Sequence, residues 1–182
     1  ELLDANFIDK FKISVASFMG EDHLSPFFYF YFSVWRWVFD NPIETLLIVP
    51  KIEFTLIILS ALFIFHAVWA NRIKTLFFAL FLSISFPMYW ENLINPIYNL
   101  SIFLSLWTFY FLHKYIKEDK YGYLGAMSVS YTLMTLSFET GFATIPLLAS
   151  YTVLNYMIIT DLNLREKLQK ILTVALIMVA CL

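Results

Sequence analysis

The chain has 182 residues, of which 60% are hydrophobic and 20% aromatic while only 14% are charged, a balance far from that of a soluble globular domain. Its net charge of −2 leaves no basic surface able to neutralise a run of phosphates, which argues against a nucleic-acid partner. The single cysteine, Cys181, excludes an internal disulfide and a cysteine-based metal cluster, and its apolar surroundings make it a small buried hydrophobe.

Residues 1–53 are apolar and aromatic but repeatedly broken by charge, and they read as a non-cytoplasmic loop with interfacial helices. Asp4 stands in Leu2-Leu3-Asp4-Ala5-Asn6-Phe7-Ile8, where a partly desolvated carboxylate can act as a general base; a helix cap or solvated loop acid is the plainer reading. Glu21-Asp22-His23 is the one place where two carboxylates and an imidazole follow each other, a set able to bind a divalent cation, share a proton or hydrogen-bond a polar head group. Three adjacent side chains cannot all face one centre, so a metal there needs ligands from elsewhere, and a polar loop is the alternative.

Ser25-Pro26 is a helix start, with a capping hydroxyl and proline at the first position. The segment 27–39 that follows carries Tyr29, Tyr31, Trp35, Arg36 and Trp37, which suits the headgroup level of a bilayer. Asn41 then caps a second helix with Pro42 at its first position and Glu44 returning the capping bond. Pro50 is expected to kink or interrupt that helix.

Apolar runs at 54–70, 75–90, 98–113, 122–138, 142–160 and 171–182 predict an all-α, polytopic membrane helical bundle of about six membrane helices over residues 54–182. The last run has only 12 residues, too few for a core of roughly 30 Å at about 1.5 Å per residue, and the chain opens on Glu1; it reads as an excerpt of a longer protein. Between these runs the lysines and arginines fall in three gaps, at Arg72 and Lys74, at Lys114, Lys117 and Lys120, and at Arg165, Lys167 and Lys170. Cytoplasmic loops are enriched in these residues, so the three gaps are assigned to the cytoplasmic side and residues 1–50 to the other.

The gaps in between hold lone acids on the non-cytoplasmic side: Glu91, followed by Asn92, and Glu139 in Ser137-Phe138-Glu139-Thr140-Gly141. Acids at membrane depth are costly and tend to face a cavity or partner. Glu91 reads equally well as a loop residue, whereas Glu139 has little loop around it, and Gly141 and Pro146 favour a helix start that exposes backbone amides. His66 is expected to hydrogen-bond a neighbouring helix and His113 to sit beside Lys114 at the cytoplasmic interface, neither in catalysis. A Gly-rich phosphate loop, a zincin pattern and a serine nucleophile elbow are all missing from the sequence.

The arrangement resembles the polytopic glycosyltransferases of the type C fold, in particular the protein O-mannosyltransferase-like branch, which take sugars from polyprenyl-phosphate carriers. Asp4 matches the carboxylate after their first span, although the frequent second acid is Ala5 here. Glu21-Asp22-His23-Leu24-Ser25-Pro26 is similar to their polar segment opening an interfacial helix, and Asp40-Asn41-Pro42 to their Asn-Pro turn. Pro87-Met88-Tyr89-Trp90-Glu91-Asn92 approximates their proline and glutamate at the end of the third span. Ser137-Phe138-Glu139-Thr140-Gly141 follows their Ser-Lys-Glu-x-Gly segment with Phe138 in place of the lysine, which removes a cation from the expected donor contact.

The resemblance implies a membrane glycosyltransferase (hexosyltransferase) acting at the non-cytoplasmic face. Asp4 would be the catalytic base, with Glu21 and Asp22 beside it, while His23, Glu91, Asn92 and Glu139 would bind substrate. It implies a lipid-linked sugar donor and membrane lipids as partners, an acceptor that the sequence does not name, and no fixed metal or cofactor beyond a divalent cation that Glu21, Asp22 and His23 could order. The competing readings are a non-catalytic multi-pass subunit and a proton-coupled transporter using Glu91, Glu139 and His66.

Overall fold

The computed structural model describes residues 26–39, 42–69, 71–84, 96–137 and 144–181, and all of these are helical or in short connections. In chain order the helices are α1 (Pro26–Phe39), α2 (Pro42–Trp69), α3 (Arg72–Ile84), α4 (Pro96–Glu118), α5 (Tyr121–Ser137), α6 (Ile145–Leu154), which continues as a π-helical turn (Asn155–Ile159), and α7 (Leu164–Ala180). The fold of the described residues is all-α, as the sequence predicts.

Local chemistry sets most of the helix ends. Pro26, Pro42 and Pro96 each stand first in a helix, where the missing N–H costs no hydrogen bond and φ is already helical. Asn71 caps α3 by accepting from the Lys74 amide at 3.0 Å. Asn163 and Glu166 form a reciprocal capping box on α7, with the Glu166 amide donating to Asn163 Oδ1 at 2.9 Å and the Asn163 amide donating to Glu166 Oε2 at 3.3 Å. At the end of α4, Asp119 adopts a left-handed φ of 51°, and its amide closes on the Tyr115 carbonyl at 2.8 Å.

The contacts also fix helix directions. Glu53 meets Asn99 and Ser60 meets Trp107, a nearly constant offset that makes α2 and α4 parallel. Thr108 meets Ser130 and Tyr115 meets Tyr121, so α4 and α5 form an antiparallel hairpin across the two-residue turn Asp119-Lys120. Tyr151 meets Phe109 and His113, and Lys170 meets Asp119, which brings the far end of α6 and the start of α7 to that same turn. The most extensive packing is between α4 and α5, and the core there is built from Leu112, Tyr115, Met127, Tyr131, Met134 and Leu148.

Burial is partly inverted relative to a water-soluble bundle. Glu53, Asn99, Thr108, Ser130, Ser137 and Thr152 are buried, whereas Leu164, Leu168, Leu172, Leu176 and Val179 form an exposed apolar stripe along α7. Ile73, Leu76, Phe77, Leu80 and Phe81 do the same along α3. Among the described residues, one helix segment, Leu47–Val68, is long and apolar enough to cross a membrane.

Three expectations need correction. Pro50 does not interrupt its helix: α2 runs through it for 28 residues, and the buried stripe Val49, Glu53, Ile57, Ser60 and Ala61 continues past it. Packing of that stripe outweighs the roughly 3 kcal/mol that an interior proline costs. The same helix crosses position 53, where the sequence changes from charge-broken to apolar. His66 is exposed on the surface of α2 and makes no hydrogen bond to a neighbouring helix among the described residues. The basic gaps, moreover, are largely helix: Arg72, Lys74, Lys114, Lys117, Arg165, Lys167 and Lys170 all lie within helical turns, because long cationic side chains are good helix formers that carry their charge away from an apolar stem.

Candidate functional site

The sequence-derived candidates Asp4, Glu21, Asp22, His23, Glu91, Asn92 and Glu139 lie outside the described residues. The helix ends nearest several of them are described. α3 ends at Ile84, α4 begins at Pro96, α5 ends at Ser137 and α6 begins at Ile145. With the directions established above, the start of α4, the end of α5 and the start of α6 lie at the end of the bundle that carries Glu53 and Asn99, opposite the Asp119-Lys120 turn.

At that end the interior is polar. Glu53 on α2 is 4% exposed, and its Oε2 accepts from the Asn99 side-chain amide on α4 at 3.2 Å. Tyr31 of α1 also hydrogen-bonds Glu53, so the acid is held between three helices. Glu53 Oε1 meets no hydrogen-bond partner among the described residues. A carboxylate taken out of water costs several kcal/mol unless its lone pairs are met, so the open oxygen is a free acceptor at a costly position. Such a group can accept a hydroxyl or ammonium donor, or exchange a proton. Arg36, also on α1, is 5% exposed, and neither Nη1 nor Nη2 has a partner among the described residues.

Deeper in the bundle several polar groups satisfy one another, although the hydroxyls of Ser101 and Tyr131 meet no partner among the described residues. The Trp107 indole donates to Ser60 Oγ at 3.3 Å, and Thr108 donates to Ser130 at 2.9 Å, which in turn donates to the Met127 carbonyl at 3.0 Å. Trp107 is also surrounded by rings, with Phe63 at 6.0 Å and Tyr110 at 5.6 Å. His113 Nδ1 and the Tyr151 hydroxyl share a hydrogen bond of 2.5 Å. This pair lines a cavity of about 260 Å³ between α2, α4 and α6, together with apolar side chains such as Ile64, Val68 and Phe109. A second, open groove of about 410 Å³ runs between α4 and α5 past Phe103, Trp107 and Leu133.

The opposite end is a closed set of ion pairs. Glu118 accepts from Lys114 and from Lys120, each at 2.9 Å, and these two hydrogen bonds hold its carboxyl down at about 2. Asp119 pairs with Lys170 of α7. Burial pushes the Lys170 ammonium down, but the Asp119 bond more than offsets this and its pKa is raised. The same ammonium lies 5.6 Å from the Tyr115 ring centre and 5.8 Å from that of Tyr121. Lys167 donates to the Met157 carbonyl at 3.2 Å, which meets an open group of the π-helical turn.

Glu53 and Arg36 are the residues that sequence reasoning undervalued: Glu53 is one of the charges that break residues 1–53, and Arg36 is read only as part of the interfacial aromatic segment. The signal for Glu53 was its register: it shares a four-residue spacing with Val49 and Ile57, the buried face of α2. Among the described residues no three His, Cys, Asp or Glu side chains come together in a way that could hold a metal ion. No family model, curated protein or solved structure matches this chain.

Proposed function

We propose that this protein is a membrane glycosyltransferase that moves a sugar from a polyprenyl-phosphate-linked donor to an acceptor on the non-cytoplasmic face. Asp4 is the base that takes the acceptor proton, Glu21, Asp22 and His23 order the acceptor or a cation, and Glu91, Asn92 and Glu139 bind the sugar end of the donor. A carboxylate beside a phosphate is repulsive, so Glu139 is assigned to sugar hydroxyls or backbone.

The observation that carries the reading is the distribution of lysine and arginine along the bundle. The start of α4 after Glu91 and the helix ends flanking Glu139 lie at the Glu53 end, while the lysines and arginines from Arg72 to Lys170 lie toward the other, with Arg36 and Lys51 remaining at the Glu53 end. This is the order expected when one end meets the cytoplasm and the other holds the chemistry. The membrane setting draws support from the apolar stripes of α3 and α7 and from the buried Ser, Thr and Asn side chains, since lipid-exposed helices place apolar groups outward and join through small polar residues.

The test is sugar transfer from a polyprenyl-linked donor by the full-length protein. Asp4→Asn is expected to lower the rate by about 10²–10⁴-fold, the usual contribution of a general base. Wild-type activity in that variant removes the base assignment, and no activity in the unaltered protein favours the non-catalytic subunit. One observation favours a second reading: the buried Glu53, with its open oxygen, is the kind of group a proton-coupled transporter uses. Loss of proton-coupled flux in Glu53→Gln, in a protein without transferase activity, selects that reading.

A further inference from the structure

Arg36 poses a charge problem that the helices around it do not solve. A guanidinium stays protonated at any physiological pH, so it cannot escape burial by losing its charge as a lysine or carboxylate can. Here it is 5% exposed, and both terminal nitrogens lack a hydrogen-bond partner among the described residues. Glu53, on the helix packed against α1, is not its counter-ion: Glu53 is held by Asn99 and Tyr31, and no ion pair joins it to Arg36.

The open groups are the two outer nitrogens of a planar fork, the geometry that grips two oxygens of one anion at once. The surroundings restrict what can arrive. On the same helix Trp37 and Val38 are exposed, Trp37 by 65%, and Trp35 and Phe39 are half-buried, so the surface that α1 offers at this level is apolar and aromatic.

 Trp35 itself packs edge-on against Tyr31 at 6.1 Å and stacks on Phe39 at 5.7 Å. A ligand that suits this surface and the open guanidinium has an apolar body and an anionic end.

We infer that Arg36 is the anion subsite for a phosphate group, carried by a lipid, that reaches α1 through its aromatic rim. The inference goes beyond the glycosyl-transfer reading and does not depend on it, because it concerns binding of a phosphate whether or not a sugar is moved.

The test uses the full-length protein in maltoside micelles, which contain no phosphate. Binding is read from tryptophan fluorescence and from the melting temperature. The probes are dioleoyl phosphatidic acid, polyprenyl phosphate, inorganic phosphate, and dioleoylglycerol as the uncharged counterpart. The lipid phosphates are expected to bind and to raise the melting temperature, with dioleoylglycerol at least tenfold weaker. Arg36→Gln should weaken lipid-phosphate binding at least tenfold, and Arg36→Lys, which keeps the charge but loses the fork, should fall between. If inorganic phosphate binds as tightly as the lipids, the anion site stands and its source is a free phosphate. Equal binding of phosphatidic acid and dioleoylglycerol overturns the proposal even if Arg36→Gln does not fold, and so does unchanged binding in Arg36→Gln. Sugar transfer is not a readout here, so this result and the Asp4→Asn result can fail separately.

Discussion

The two ends of the bundle handle charge in opposite ways. Around the Asp119-Lys120 turn, acids and bases meet: Glu118 takes two lysines, Asp119 takes Lys170, and the ammonium of Lys170 also lies near two tyrosine rings. At the other end Glu53 and Arg36 are buried on touching helices, yet each keeps open hydrogen-bonding atoms. The first arrangement needs no further partner, and it ties α4, α5 and α7 together where the connections are short. The second leaves a permanent cation and an acceptor oxygen at positions that cost stability, which is the usual mark of a place kept for function.

The largest effect expected from disturbing this contrast is at Glu53 and Asn99. Asn99→Leu removes the donor from a buried carboxylate and should destabilise the protein by about 2–3 kcal/mol in an unfolding titration in micelles. Glu53→Leu combined with Asn99→Leu should recover most of that loss, because an apolar pair of similar volume carries no desolvation cost. A double variant as unstable as Asn99→Leu alone would show that Glu53 is there for packing and not as a costly polar group.

A smaller effect is expected at the turn. Asp119 has a left-handed φ that favours glycine, and it also holds Lys170. Asp119→Ala keeps the strain and loses the pair, for a cost of about 1–2 kcal/mol, whereas Asp119→Gly relieves the strain as it loses the pair and should be near neutral. If the two variants were equally unstable in the same titration, backbone strain would have no part in the choice of residue.

The smallest effect is the pH response of Glu118. Its carboxyl is held at about 2, below the ordinary 4.5, so the stability it contributes is complete above about 4.5 and is lost as pH falls through about 2. Between those values the unfolding midpoint of the wild type should fall more steeply than that of Glu118→Gln, and added salt should reduce the difference. Parallel curves would mean that the Lys114 and Lys120 bonds do not persist in solution.

Much of the helix layout was legible in the sequence. Pro26 and Pro42 announced the starts of α1 and α2, and the apolar run 122–138 matches α5 (Tyr121–Ser137) to within one residue at each end. The polar gaps were harder to read because charge alone does not distinguish a loop from a helix end. Lys114 and Lys117 continue α4, and only Asp119 and Lys120 form the turn. Pro50 misled because the penalty of a proline is local, while the packing that overrides it comes from residues four apart on a buried stripe. For the polar interior, the residue types were legible but their partners were not. Glu53 and Asn99 are 46 positions apart, and nothing short of the parallel packing of α2 and α4 brings them together. The candidates Asp4, Glu21, Asp22, His23, Glu91, Asn92 and Glu139 rest on sequence pattern, since they lie outside the described residues.

The assignment of the two ends to opposite sides of a bilayer underlies the whole account, and cysteine accessibility in intact cells tests it directly. In a full-length protein with Cys181→Ala, single cysteines at Lys117 and at Asn95 are exposed to a membrane-impermeant maleimide before and after permeabilisation. The account predicts labelling of Asn95→Cys in intact cells and of Lys117→Cys only after permeabilisation. Labelling of Lys117→Cys in intact cells, or of both positions alike, would contradict it.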